Sequence, residues 1–197
     1  MKSSVFYIAL FLSIIFSSCN ENPTLQEYYV ESQSRDDFVI LDIPSAVFLG
    51  VDPRLDETTK EKLRSIEKAN ILAFPKNEKT DSIFKNEKKK VENILENEDY
   101  KLLMEFSHSD NRVKVMYVGE TRSIDEMIFY GDSEDFGFAV ARILGNDMNP
   151  KVVVDYIRNF NSDTTQSKNL DTSELEDLMK VFSFDELERK KDEEGMD

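Results

Sequence analysis

The sequence predicts an α+β fold. We expect a mixed, mostly antiparallel sheet, built in the order β-α-β-α-β-β-β-β-α, with helices on one face and the other open to water or to a partner. Three observations predict it. Short apolar runs ended by proline alternate with helical periods in the first half of the chain. From residue 100 the period becomes that of strands separated by turn residues. An amphipathic stretch opened by a proline follows the last of those strands. Fourteen Phe and seven Tyr can fill the core. The expected organisation is a signal over 1–18, a flexible tether over 19–35, the domain over 36–160, a linker over 161–172 and a helical tail over 173–197.

At the start, Lys2 precedes an apolar run from Val5 to Phe16, 12 residues broken once by Ser13. A spanning helix needs roughly 18 or more apolar residues, whereas a signal peptide uses about 7–15. Phe16-Ser17-Ser18-Cys19 resembles the bacterial lipobox, with Phe16 in place of the commoner Leu. The resemblance implies cleavage before Cys19, diacylglycerol on its sulfur and a fatty acyl group on the new amine. Asn20 rather than Asp follows the cysteine, which by analogy with lipoprotein sorting implies the outer membrane. From Asn20 to Arg35 the chain is polar, holds Pro23 and shows no sustained period, so it reads as a tether.

The domain opens with Phe38-Val39-Ile40-Leu41-Asp42-Ile43, a buried-strand run stopped by Pro44. A helix is expected from about Asp56 to Ala69, capped by Asp56, with Leu63, Ile66 and Ala69 on its apolar face. Ile71-Leu72-Ala73-Phe74, ended by Pro75, is the second strand. Strand, helix, strand implies a right-handed crossover between parallel strands. Thr80 to Glu96 is the strongest helical pattern, with Phe84, Val91 and Leu95 inward and Ile83 and Ile94 beside them. Lys85, Lys88, Lys89 and Lys90 on its charged side are interleaved with acids and read as a solvated face rather than an anion site. Four strands are expected over 100–106, 112–118, 124–130 and 136–144. Gly137, Ala139 and Ala141 leave room on one face for a helix, expected over Asn149–Phe160.

In the tail, Leu175, Leu178, Met179 and Phe182 fall at helical spacing and form a candidate partner-binding face. Ser173 with Glu176, and Ser183 with Glu186, read as capping boxes.

Forty acids against 25 bases give a net charge of −15, which disfavours nucleic acid and anionic head groups. With Cys19 lipidated, no cysteine remains for a disulfide, a nucleophile or a thiolate metal site. His108, the one histidine, falls in a predicted hairpin tip and reads as a turn residue rather than a base. Asp132, Glu134 and Asp135 lack calcium-loop spacing and read as a charged turn. Asp42, at the end of an apolar strand, would gain acid–base use only if buried. No cofactor and no metal is expected.

Phe38 to Pro44, Ile66 through Phe74, and the meander of Ile124 to Leu144 carry a resemblance of residues 36–160 to bacterial lipoproteins of the domain of unknown function family 4252. It implies an envelope domain without an assigned reaction, and it brings no site residues. The expected function is therefore a lipid-anchored, non-enzymatic envelope protein that binds another envelope protein. The alternatives are a carboxylate-based hydrolase and an envelope signalling or regulatory component.

Overall fold

The apolar run at Ile128-Phe129-Tyr130 has no polar alternation, so neither side of that strand can face water. The computed structural model describes residues 23–46, 56–108 and 111–161, and it meets this demand with a sheet covered on both faces. The described elements are α1 (Leu25–Ser32), β1 (Val39–Pro44), α2 (Glu57–Leu63), β2 (Ile66–Pro75) and α3 (Asp81–Leu95), then the strands β3 (Lys101–His108), β4 (Asn111–Glu120), β5 (Ser123–Ser133) and β6 (Gly137–Met148), and finally α4 (Pro150–Asn161). The strands form one six-stranded sheet in the order β1-β2-β6-β5-β4-β3. Every neighbouring pair is antiparallel.

Successive residues of β5 enter different cores. Ile128 and Tyr130 join Leu72, Phe74, Phe138 and Val140 beneath α1 and α3. Met127 and Phe129 join Ala69, Val115 and Ile143 beneath α2 and α4, which contribute Leu63 and Val153. The α+β class and its element order hold, but the expectation of helices on one face is corrected. A central strand with large apolar side chains on both sides needs two covers. Ala139 is fully buried against Ala73 and Val39 of the neighbouring strands, and Ala141 packs against the core to which α4 contributes Val153, so the helix-covered core reaches Ala141 but not Ala139.

Two further expectations change in the first half. β1 and β2 are antiparallel, with Val39 opposite Ala73 and Ile43 opposite Ala69. Helix α2 is only seven residues, about 10 Å long, and the crossover helix expected over 56–69 does not form, because Ile66 and Ala69 belong to β2. The helix read over 56–69 stops at Leu63, and Ile66 and Ala69 pair with Gly145 and Ile143 of β6. Spacing by three is also compatible with a bulged strand, and pairing with β6 decides the outcome.

The largest correction is at the N-terminus. Residues 25–32, read as part of a flexible tether, are helix α1. Thr24 and Glu27 form a reciprocal capping box, and Leu25, Tyr28, Tyr29 and Ser32 are buried. The spacing of those four is i, i+3, i+4, i+7, a helical face that the surrounding polar residues obscured. Among the described residues, the packed structure therefore includes α1.

An aromatic stack centres the first core. Phe74 lies parallel to Phe138 at 5.3 Å, Phe38 meets Phe74 edge-on at 5.1 Å, and Phe84 of α3 stacks at 6.4 Å. Gly137 starts β6 at φ +108°, and a Cβ there would sit 2.0 Å from the Phe74 carbonyl oxygen. Only glycine permits that approach.

Candidate functional site

α3 buries Phe84, Val91, Ile94 and Leu95, and among them one acid, Glu87, only 5% exposed. An acid on an apolar helical face needs partners, and three elements supply them. The Tyr28 hydroxyl of α1 donates to Glu87 at 2.8 Å, Lys90 one turn along donates at 2.8 Å, and an Arg35 guanidinium nitrogen lies at 3.2 Å. Arg35 also grips Asp37 through two nitrogens, at 3.1 and 2.6 Å. Burial alone would raise the Glu87 pKa. The Lys90 and Tyr28 hydrogen bonds and the Arg35 charge outweigh it and hold the carboxyl below its ordinary range. The Arg35 hydrogen bond likewise lowers Asp37. Tyr28 is pushed up, first by burial and then by its bond to Glu87.

A second cluster joins α3 to β4 and β5. Asp132, 3% exposed, places one oxygen 2.6 Å from Lys88 Nζ and the other 3.0 Å from Arg112 Nε. Lys88 also reaches Glu134 at 3.0 Å, and Arg112 pairs with Glu92. Burial opposes the charge on Lys88, but the bonds to Asp132 and Glu134 win and raise its pKa. Arg112 is raised in the same way against its burial, chiefly by Asp132. The Tyr130 hydroxyl, between this cluster and the core, is buried with no hydrogen-bond partner among the described residues. Its pKa rises through burial and the nearby Asp132 charge. Arg112 stands over the ring, 5.9 Å from its centroid.

A third cluster fixes α1 to the sheet. Arg142 of β6, 5% exposed, holds Glu126 of β5 through two nitrogens at 2.6 and 3.1 Å. Its remaining nitrogen donates to Gln26 of α1 at 2.7 Å. The backbone N–H of Leu25 donates to the Tyr100 hydroxyl at 3.2 Å. The Tyr29 hydroxyl donates to Asp42 at 2.7 Å, and Asn70 donates to the same carboxylate oxygen. Burial, then the bond to Asp42, pushes Tyr29 up to about 12.

The residues singled out from sequence fall in different places. Cys19, Leu175, Leu178, Met179 and Phe182 lie outside the described residues. Asp42 is exposed rather than buried, and it acts as the acceptor that ties α1 to β1 and β2. His108 ends β3 opposite Asn111, not in the turn between the strands. Asp132 is no turn residue either: β5 continues through Ser133, and of the three acids Glu134 and Asp135 belong to the turn. Lys85, Lys89 and Lys90 are exposed as expected of a solvated face, whereas Lys88 is drawn in by Asp132. The sequence reading counts Glu87 among the acids of the solvated face of α3, whereas it is buried, and it singles out none of Arg112, Glu126 and Arg142 as a site residue. Their signal was a charge at a core position, such as Glu87 between Phe84 and Val91, or Arg142 two residues after Val140.

Chemically the three clusters join elements. Asp132 and Glu134 converge on one ammonium, but both Asp132 oxygens are engaged by cations, so a lysine occupies the place a substrate would take between two catalytic acids. Two open depressions adjoin them. One of about 350 Å³ lies between α1 and β1, lined by Tyr29, Gln33, Asp42 and Asn70. Another of about 400 Å³ lies beside α3, lined by Lys85, Lys88, Lys89, Glu92 and Glu134. Among the described residues, no group of three or more His, Cys, Asp and Glu is placed to hold a metal ion. No helix among them is long and apolar enough to cross a membrane.

No curated protein and no solved structure matches the chain. A family model described as a domain of unknown function (DUF4252) matches residues 28–156. That match begins inside α1 and ends inside α4, taking in the whole sheet and the three ion clusters except Leu25 and Gln26 of the third. The chain belongs to the DUF4252 family.

Proposed function

We propose that this chain is a bacterial envelope lipoprotein, held in the outer membrane by lipid on Cys19, that acts as a non-enzymatic binding or scaffold protein for another envelope protein. The observation that carries the reading is the order at the N-terminus: one cation, a 12-residue apolar run, two small residues and the only cysteine of the chain. Two or more acyl chains make such an anchor stable at about 0.8 kcal/mol per buried methylene. The ion clusters favour binding over catalysis, because the buried carboxylates are held by cations that brace α1 and α3. The partner-binding element is the tail face of Leu175, Leu178, Met179 and Phe182.

The test is crosslinking in intact cells, with the full chain beside a version ending at Phe160. The expected result is one reproducible partner that the truncated chain loses. A palmitate label that follows the chain and disappears in Cys19→Ser tests the anchor separately. An unlabelled wild-type chain overturns the anchor. Absence of any crosslinked partner from both versions overturns the scaffold role and turns attention to the carboxylate hydrolase.

A further inference from the structure

We infer that the domain stands directly on the bilayer with one defined pole toward it, an inference that rests on lipid attachment at Cys19. The helix cap at Thr24 is five residues beyond Cys19. Extended chain covers at most about 3.6 Å per residue, so Thr24 lies within roughly 18 Å of the lipid-bearing residue. A domain of this size has a radius of gyration of about 14 Å and a diameter near 36 Å. The reach is thus about half the domain's width, too little for the domain to turn over beneath its own anchor.

The start of α1 cannot swing away to lengthen that reach. Thr24 and Glu27 close the cap, with contacts of 2.7 and 3.2 Å. Leu25 is 2% exposed and its N–H is held by Tyr100, while the next residue, Gln26, is held by Arg142. These contacts place α1's first turn over the Tyr100 side chain and the Arg142–Glu126 pair, nearer the β4–β5 turn than the β5–β6 turn. The loop from Glu96 to Tyr100 leads into β3 there, and Lys101 reaches across to the Gly119 carbonyl at 2.8 Å. The β4–β5 turn at Thr121 and Arg122 and the β6 terminus at Met148, opposite Ile124, complete this pole. The opposite pole is the β5–β6 turn with Phe136, which is 48% exposed. Between them run the 11 residues of β5, about 35 Å of strand.

Charge does not draw the near pole to lipid: Glu96, Glu98, Asp99 and Glu120 are all exposed on it. Anionic head groups would repel it. Proximity comes from the short tether, so the orientation depends on tether length and not on lipid charge.

The experiment uses full-length lipidated protein in vesicles of phosphatidylethanolamine and phosphatidylglycerol with nitroxide-labelled head groups. A fluorophore is placed at Arg122→Cys or Phe136→Cys. With Cys19 acylated, the new thiol is the one that labels. The expected result is several-fold stronger quenching at 122 than at 136, and convergence of the two when twenty Gly/Ser residues are inserted after Glu21. Equal quenching at both sites without the insertion, on a chain whose mass shows acylated Cys19, overturns the orientation and leaves the anchor standing. An unmodified Cys19 overturns both.

Discussion

Asp132 shows how a single side chain can matter through its neighbours. At 3% exposure it stands between Lys88 and Arg112, so removing its charge leaves two half-buried cations with less compensation. Asp132→Asn should destabilise the domain by about 3 kcal/mol, since breaking one side of a buried ion pair costs about 3–5 kcal/mol and Glu134 and Glu92 remain. Urea denaturation measures it, and a loss below about 1 kcal/mol would contradict the cluster's role. Titration gives a second prediction. Glu87 and Asp37 have folded pKa values below their ordinary 4.5 and 3.8. Their ionised forms favour the fold, so their contribution is present above those values and is lost as pH falls through the lower folded ones. Tyr29 runs the other way. Its pKa rises from 10.0 to about 12, so its contribution is complete below pH 10 and is lost as pH climbs from 10 to 12. The urea midpoint should therefore be flat from about pH 5 to 10 and fall on both sides. Glu87→Gln should lower the plateau and shallow the acid limb, and an unchanged acid limb would sink the assignment.

Among the elements, α1 is the one that the sequence showed least. Leu25, Tyr28 and Tyr29 bury three large side chains, each worth about 1.5–3 kcal/mol, against a total stability of about 5–15 kcal/mol for an ordinary domain. A chain starting at Asp36, the boundary read from composition, should fail to give a cooperative unfolding transition, while one starting at Pro23 should give it. Thr24→Ala should cost about 1 kcal/mol through the lost cap. Helix α3 and the β3–β6 meander were legible, because Phe84, Val91 and Leu95 keep a clean helical spacing and the strand pairs are separated by turn residues. α1 was not, because Gln26, Glu27 and Glu31 dilute its apolar face to four positions in eight. β5 ran past its predicted end because Gly131, Asp132 and Ser133 have turn chemistry, yet pair with Val113, Arg112 and Asn111. Long-range pairing overrode local preference there, as it did at Ile66 and Ala69. The ion clusters were unreadable for the same reason: Glu87 and Arg35, or Arg142 and Gln26, meet only once the sheet has closed.

For the whole molecule, closure depends on β2 meeting β6. Gly137 marks the end of that seam, opposite Pro75, with Lys76 donating to the Phe136 carbonyl at 3.0 Å. Gly137→Ala should cost on the order of 3 kcal/mol, combining a disfavoured φ with a clash against the Phe74 carbonyl, and a change below about 1 kcal/mol would refute that account. The seam also governs the order of events as the chain emerges from a ribosome or a translocon. β3 to β6 pair each with the next and can zip up locally, whereas β1 and β2 emerge first and must wait for α3 and four more strands. A lone two-stranded hairpin is marginal in water, and Ile71-Leu72-Ala73-Phe74 would meanwhile offer an unpaired, apolar edge to any neighbouring chain. The slow step of folding should then be the docking of that hairpin onto the finished meander, a search across most of the chain. The two strands made first should therefore be the part of the chain most open to wrong pairing until β6 is in place.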